Sequence, residues 1–180
     1  MKNFDLTENE KSLLLRIARR AIEGGDLKEL TSLLTDNLKA KSGVFVTLKT
    51  GGEQLRGCIG NFNFNTQIYQ NVYDMAKEAA FNDPRFIPLN DSELQNVKIE
   101  ISVLTPFEKI DNFDDIEIGK HGLYFIKGPY RGVLLPQVAV EHNMDKKGFL
   151  EAVSMKAGLP SDAYKTGADI FTFSALVFGE

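Results

Sequence analysis

Residues 43–60 read GVFVTLKTGGEQLRGCIG, and this stretch has the pattern of a β-hairpin. In its first half every second residue is a valine or leucine, as expected for a strand with one buried face. Gly51 and Gly52 supply the residues that a tight turn needs. If the returning strand keeps the same alternation, Arg56 and Cys58 lie on one face. The stretch therefore predicts antiparallel sheet and places the only cysteine of the chain beside an arginine.

The rest of the chain mixes helix-type and strand-type periodicity without a regular βαβ repeat. Thr7 and Glu10 form a capping-box pattern ahead of an amphipathic helix that two glycines end. Strands paired by hairpins, with helices between them, predict an α+β fold with mainly antiparallel sheet. The further predicted elements are a helix within 66–84, a helical turn from Asn90, a strand over 97–103, a hairpin around Gly128, one or two helices within 136–160 and a single closing strand over 169–178.

Composition limits the functions open to the chain. The 180 residues are 43% hydrophobic and carry a net charge of −4, so a packed core is expected and nucleic-acid binding through clustered cations is disfavoured. One cysteine excludes an internal disulfide, and with two histidines it is too few for a structural zinc site. No apolar run approaches the roughly 20 residues that span a bilayer. We expect a cytoplasmic protein without a membrane segment and without a structural zinc site, whereas a hard-cation site built from carboxylates stays open.

Several blocks of sequence follow one another in order along the chain: FVTL at 45–48, LRGCIG at 55–60, DPRF at 83–86, IEISVLT at 99–105, HGL at 121–123, LLPQVAVE at 134–141 and KAGLP at 156–160. Together these blocks resemble one family, the AMME-chromosomal-region proteins. The resemblance extends over roughly residues 10–180, nearly the whole chain, and a shared order of blocks is more specific than any one of them.

The resemblance implies a single domain over residues 1–180, built from two unequal, intimately joined subdomains that share a core. It implies no established activity and no known cofactor. It does imply partners: prokaryotic family members are associated with a Memo-like protein and a radical-SAM protein, which indicates a shared modification pathway. Eukaryotic relatives are treated as regulatory or adaptor-like proteins. The oligomeric state is left open.

Cys58 is the candidate catalytic residue, with two interpretations. A guanidinium beside a thiol stabilises the thiolate, and Arg56 on the same face would provide this. A free cysteine is, however, more often a small buried side chain, and a nucleophile also needs a base. Only His121 and His142 could supply an imidazole, and nothing in the sequence brings either one to the thiol.

The residues around the cysteine form a candidate ligand-binding set. Gly57 and Gly60 mark a close approach, either of another part of the chain or of a ligand that rests on bare backbone. Arg56 and Arg85 could bind an anion bidentately, or form structural pairs with carboxylates of the chain.

The remaining candidates are polar residues that the family blocks contain. Asp83, Glu100 and Glu141 could form an acid/base pair or a cation cage, or lie on solvated faces. Gln137 could orient a ligand or begin a helix, and His121 is the better of the two candidate bases but is also typical of a turn.

Two functional hypotheses follow. In the first, LRGCIG lines a ligand or substrate cleft of an enzyme, or of a substrate-presenting protein, in a radical-SAM modification pathway. In the second, LRGCIG is a structural packing motif of a non-catalytic protein-interaction or regulatory module. Buried, fully paired motif side chains and an apolar surface elsewhere would favour the second.

Overall fold

The computed structural model describes residues 5–180, and the chain divides into two compact units. Unit 1 comprises the residues up to Leu104 together with Leu176–Glu180, and unit 2 comprises Thr105–Ala175. Each unit contains helices and a four-stranded sheet with antiparallel pairing, which confirms the predicted α+β class. The buried apolar side chains form two clusters, one in each unit. The single domain over 1–180 with a shared core stays a prediction.

Unit 1 packs its helices on one face of a sheet of strand order β2-β1-β3-β8. Its helices are α1 (Glu8–Ile22), a 3-10 helix (Lys28–Leu33), α2 (Asp36–Lys39), α3 (Ile68–Phe81) and α4 (Asp91–Leu94). Its strands are β1 (Val44–Lys49), β2 (Leu55–Asn61), β3 (Lys98–Leu104) and β8 (Ala175–Gly179).

The first helix forms where the capping box predicts it. The Thr7 hydroxyl accepts from the Glu10 backbone N–H, and the Glu10 carboxylate accepts from the Thr7 backbone N–H at 2.8 Å. These two bonds satisfy amides that the first helical turn leaves without a partner. The apolar stripe of α1 is buried in the core of unit 1, and Gly24 follows the helix end with φ of 77°.

The hairpin of β1 and β2 is confirmed, but its returning strand is irregular. Val46 lies opposite Ile59, and Thr47 lies opposite Cys58. The register shifts beyond Leu48, so that Arg56 is the extra residue of a bulge. A bulge interrupts the alternation of faces along a strand. The predicted same-face placement of Arg56 and Cys58 therefore loses its basis.

Unit 2 has a sheet of strand order β4-β7-β5-β6. Buried side chains of its strands and helices pack together in one core cluster. Its strands are β4 (Glu108–Ile110), β5 (Gly122–Lys127), β6 (Tyr130–Leu134) and β7 (Asp169–Phe173). Its helices are α5 (Pro136–Glu141), α6 (Lys146–Lys156) and two 3-10 helices (Phe113–Asp115 and Ser161–Lys165). The predicted hairpin around Gly128 is confirmed as β5 and β6.

The predicted single strand over 169–178 is wrong. The chain leaves the strand conformation at Ser174, and β7 and β8 belong to different sheets. The backbone of Ser174 is held by Thr105: its N–H donates to the Thr105 hydroxyl and its carbonyl accepts from the Thr105 N–H, both at 2.8 Å. The periodicity of apolar residues cannot reveal such a break, because apolar residues of both strands pack inward: Ile170 of β7 is buried, and Leu176 and Phe178 of β8 are partly buried. No helix in the described part of the chain is long and apolar enough to cross a membrane.

Candidate functional site at the LRGCIG strand

Strand β2 carries the LRGCIG motif along the edge of the unit 1 sheet. The backbone of Cys58 points away from β1: its N–H donates to the Asp83 carboxylate at 2.8 Å, and its carbonyl accepts from the Arg85 guanidinium at 3.1 Å. An uncovered sheet edge exposes unpaired N–H and C=O groups that can pair with another chain. At this point of the edge, side chains of the DPRF segment take the place of a neighbouring strand.

Asp83 and Arg85 form a close ion pair. Their carboxylate and guanidinium are joined by two contacts, of 3.0 and 2.8 Å, and the Asp83 side chain is only 2% exposed. Hydrogen bonds from Arg85 and from the Cys58 N–H outweigh the effect of burial and hold the pKa of Asp83 far below its usual range. Asp83 is therefore ionised at neutral pH and is a weak base.

The Cys58 thiol has two described polar neighbours. The Thr47 hydroxyl lies 3.2 Å from the sulfur, across the hairpin. The Arg85 guanidinium interacts electrostatically with the Cys58 side chain, an effect that adds to the larger influence of Asp83 in raising the pKa of Arg85. The cation beside the thiol is therefore Arg85 rather than the predicted Arg56. Because Asp83 neutralises that cation, its ability to stabilise a thiolate is reduced.

The described residues of unit 1 supply no histidine that could act as a base for the thiol. Residues 5–104 and 176–180 contain no histidine. Glu100 lies opposite Thr47 on the other side of β1, so its strand is two strand spacings, about 10 Å, from that of Cys58. Glu100 instead pairs with Lys49 at 2.9 Å. Among the described residues of unit 1, neither an imidazole nor Glu100 is therefore placed to accept the proton of Cys58.

Arg56 is held by a carboxylate that the sequence did not point to. Its Nε and Nη2 donate to the two oxygens of Glu93 at 2.7 and 3.0 Å, and its side chain is 11% exposed. The guanidinium also lies over the Phe86 ring, 5.9 Å from the centroid. This bidentate pair lowers the pKa of Glu93. Arg56 thus connects the hairpin to α4, and its Nε and Nη2 donors are already bonded to Glu93.

The two motif glycines are both explained by close approach within unit 1. A Cβ on Gly57 would lie 2.2 Å from the Ala79 carbonyl oxygen of α3. A Cβ on Gly60 would lie 2.2 Å from the ring of Phe45, which covers this part of β2. Side chains at either position would collide with the neighbouring structure. The geometry supports packing as the reason for both glycines.

The remaining predicted residues, His121, Gln137 and Glu141, lie in unit 2. His121 accepts from the Glu117 backbone N–H through Nδ1 at 3.2 Å, as a turn residue does. Gln137 and Glu141 are exposed on α5. Among the residues that the structure describes, no three His, Cys, Asp or Glu side chains are grouped to hold a metal ion.

Sequence reasoning missed Glu93, Thr47 and Phe86 as partners of the motif. One signal for Glu93 was available, because Asn90 and Glu93 have capping-box spacing and both bonds of the box form. Thr47 could have been found from the hairpin register. No signal in the sequence places the Phe86 ring beside Arg56.

Comparisons with known proteins give one family match and several relatives of similar length. The sequence pattern of the AMMECR1 family matches residues 15–178. Protein NEQ441 of Nanoarchaeum equitans is 41% identical over 178 residues, covering 93% of this chain and 98% of that protein. Protein MK0488 of Methanopyrus kandleri is 42% identical over 189 residues, covering 97% and 90%.

A solved structure matches the fold as well. The crystal structure of uncharacterised protein PH0010 from Pyrococcus horikoshii is similar with a TM-score of 0.80 at 38% identity, covering 93% of this chain and 89% of that one. An α+β protein with two antiparallel sheets is thus the class that the fold defines. The chain belongs to the AMMECR1 family.

Proposed function

We propose that this protein is a non-catalytic protein-interaction module, in which LRGCIG is a structural packing motif. The observation that carries the proposal is that polar groups of the motif are already hydrogen-bonded within the protein. Arg56 is paired bidentately with Glu93, and the backbone of Cys58 is bonded to Asp83 and Arg85. A ligand entering here would have to displace charge-assisted hydrogen bonds.

The surroundings of the thiol support the same conclusion. A cysteine is activated as a nucleophile by an adjacent base, or by a nearby positive charge that stabilises its thiolate. The nearby carboxylate, Asp83, has a depressed pKa, and its charge balances that of Arg85. Neither Asp83 nor Arg85 is therefore suited to activate Cys58.

An exposed apolar residue provides a point of contact for a partner. Ile87 is 77% exposed and is followed by Pro88, in the segment that the Asp83–Arg85 pair fixes to β2. Apolar side chains presented on a rigid segment are effective anchors, because little conformational freedom is lost on binding. The partner that fits is a protein with an apolar pocket. Of the partners implied by the family resemblance, we choose the Memo-like protein as the one to test.

The experiment compares Cys58→Ala with Ile87→Ser in binding to the Memo-like protein from the same organism, measured by titration calorimetry. Cys58→Ala should bind as the wild type does, and Ile87→Ser should weaken binding about tenfold. Ile118→Ser, at an exposed apolar position of unit 2, is the matched control and should bind normally. Loss of binding in Cys58→Ala with Ile87→Ser unaffected would contradict the proposal.

A catalytic or substrate-presenting function is favoured by one observation, the partly exposed thiol beside the Arg85 guanidinium. Labelling with iodoacetamide at pH 7, followed by intact mass, separates the two functions, because the chain has a single cysteine. A structural thiol should be labelled more slowly than glutathione until the protein is denatured. Faster labelling that Arg85→Gln slows would support the catalytic function instead.

A further inference from the structure

Two clefts lie along helix α1 in unit 1, away from the LRGCIG strand, and Arg16 lines both. The larger has a volume of about 500 Å³, within the range of small-molecule sites. The smaller, of about 210 Å³, lies among Arg16, Arg19, Arg20 and Glu29. The residues that line the larger cleft include Asn9, Ser12, Leu13, Leu33 and Thr35.

Arg16 differs from the other arginines of unit 1 in pairing with no residue that the structure describes. Arg19 pairs with Glu180 at 2.6 Å, and Arg20 pairs with Glu29 at 3.0 Å. Arg56 and Arg85 are paired as described above. Among the described residues, Arg16 has neither an ion pair nor a hydrogen bond. The clefts therefore share a guanidinium whose five donors are free for an anion.

The larger cleft also has an apolar wall. Leu13, from α1, is buried, and Leu33, from the end of the neighbouring 3-10 helix, is 50% exposed. An exposed leucine in a concave surface can be covered by the apolar part of a ligand, which removes it from water. The apolar wall and the free guanidinium line the same cleft. A ligand that contacts both needs an apolar end and an anionic end.

Glu10 limits where the anionic end can lie. Its oxygens accept from the Thr7 N–H at 2.8 Å and from the Thr35 hydroxyl at 2.5 Å. Burial tends to raise the pKa of Glu10, but these hydrogen bonds outweigh it, so the pKa is lowered and the group is charged at neutral pH. A negative group is repelled from this end of the cleft. It is attracted to Arg16, which lies almost two turns further along α1.

We propose that the cleft binds a small amphiphilic anion, a carboxylate attached to an aliphatic chain. The carboxylate pairs with Arg16, and the aliphatic part lies against Leu13 and Leu33. No residue of the LRGCIG strand takes part, so this site is independent of the proposed interaction function. The partly formed pocket and the unpaired guanidinium are both needed for binding.

The test uses octanoate as the probe and follows backbone amide resonances of the isotope-labelled protein by NMR. Octanoate should shift resonances of residues 9–16 and 30–35 in a saturable manner. Arg16→Gln should weaken the affinity about tenfold, the expected effect of losing a charge-assisted hydrogen bond. Leu33→Ser should weaken it as well, because the apolar wall is removed. Arg16 is exposed and unpaired, so the first variant should fold normally.

Three controls distinguish the proposal from weaker explanations. Arg131→Gln removes an exposed arginine of unit 2 that donates only to backbone carbonyls, and it should leave octanoate binding unchanged. Octan-1-ol has the aliphatic chain without a negative charge, and inorganic phosphate has negative charge without an aliphatic chain. Each should bind at least about tenfold more weakly than octanoate. The proposal is overturned if Arg16→Gln binds octanoate as the wild type does. It is also overturned if phosphate alone matches octanoate, or if the shifts occur outside the cleft.

Discussion

The two units each contain a hairpin whose returning strand lies at the sheet edge and carries an Arg-Gly pair. In β2 the pair is Arg56-Gly57, and in β6 it is Arg131-Gly132. Both glycines press against a helix: a Cβ would lie 2.2 Å from a carbonyl oxygen of α3 at Gly57 and 2.6 Å from one of α6 at Gly132. The shared feature is close packing of a strand on a helix, which requires a residue without a side chain.

The arginines, in contrast, have different environments. Arg56 is 11% exposed and bonded to both oxygens of Glu93. Arg131 is exposed and, within the described part of the chain, donates only to the carbonyls of Gly128 and Tyr130 in its own turn. The same two-residue sequence is therefore a long-range connection in one hairpin and a local surface feature in the other. What decides the difference is the segment around Asp83–Glu93, which covers the edge of β2.

The largest expected effect concerns the shared glycines. Gly57→Ala should lower the free energy of unfolding by about 3 kcal/mol or more, because the new methyl group collides with helix backbone that cannot move alone. Gly132→Ala should cost about 2 kcal/mol, since its contacts of 2.6 and 2.8 Å are less severe. Urea denaturation followed by circular dichroism measures both.

Gly51→Ala, in the turn before β2, is the control for these substitutions. Nothing lies within 4 Å of a Cβ at that position, so the cost should be below about 0.5 kcal/mol. If Gly57→Ala were as well tolerated as Gly51→Ala, close packing would not be the reason for the motif glycine, and the similarity between the hairpins would be lost.

The second prediction concerns the pair that covers the β2 edge. The pKa of Asp83 is lower in the folded than in the unfolded protein, so the folded state binds fewer protons. This contribution to stability is complete above the unfolded value of about 4 and is lost as the pH falls below it toward the folded value. Asp83→Asn should therefore cost about 2–3 kcal/mol at pH 7 and noticeably less at pH 3.

Urea denaturation at the two pH values gives the comparison, with Asp36→Asn as the control. Asp36 is exposed at the start of α2, and its replacement should change stability by less than about 0.5 kcal/mol at either pH. An equal cost of Asp83→Asn at pH 7 and pH 3 would mean that the ionised carboxylate is not what stabilises the edge. The segment around Asp83 would then stabilise the β2 edge by packing against it, without a contribution from the charge of Asp83.

Local signals in the sequence predicted much of this fold. The Thr7–Glu10 box, the Gly51-Gly52 turn and the apolar alternation of β3 each act over a few residues and were read correctly. Asp83 and Arg85 are two positions apart, so a structural pair between them was foreseeable.

The remaining features depend on contacts that local periodicity does not encode. The bulge at Arg56 follows from the register of a whole hairpin, and it removed the basis for pairing Arg56 with Cys58. Glu93 lies 37 positions from Arg56 and is brought to it by the course of the intervening chain. The change of sheet at Ser174 likewise depends on Thr105, which is 69 positions away.

The smallest predicted effect tests the contrast between the two arginines. Arg56→Lys keeps the charge but cannot reproduce the two parallel bonds to Glu93, so it should lower the free energy of unfolding by about 1–2 kcal/mol. Arg131→Lys should change it by less than about 0.5 kcal/mol, because only exposed bonds to turn carbonyls are affected. Urea denaturation of the two variants beside the wild type is the measurement. Equal costs would show that the pairing with Glu93 adds nothing beyond charge, and both hairpins would then use their arginines in the same way.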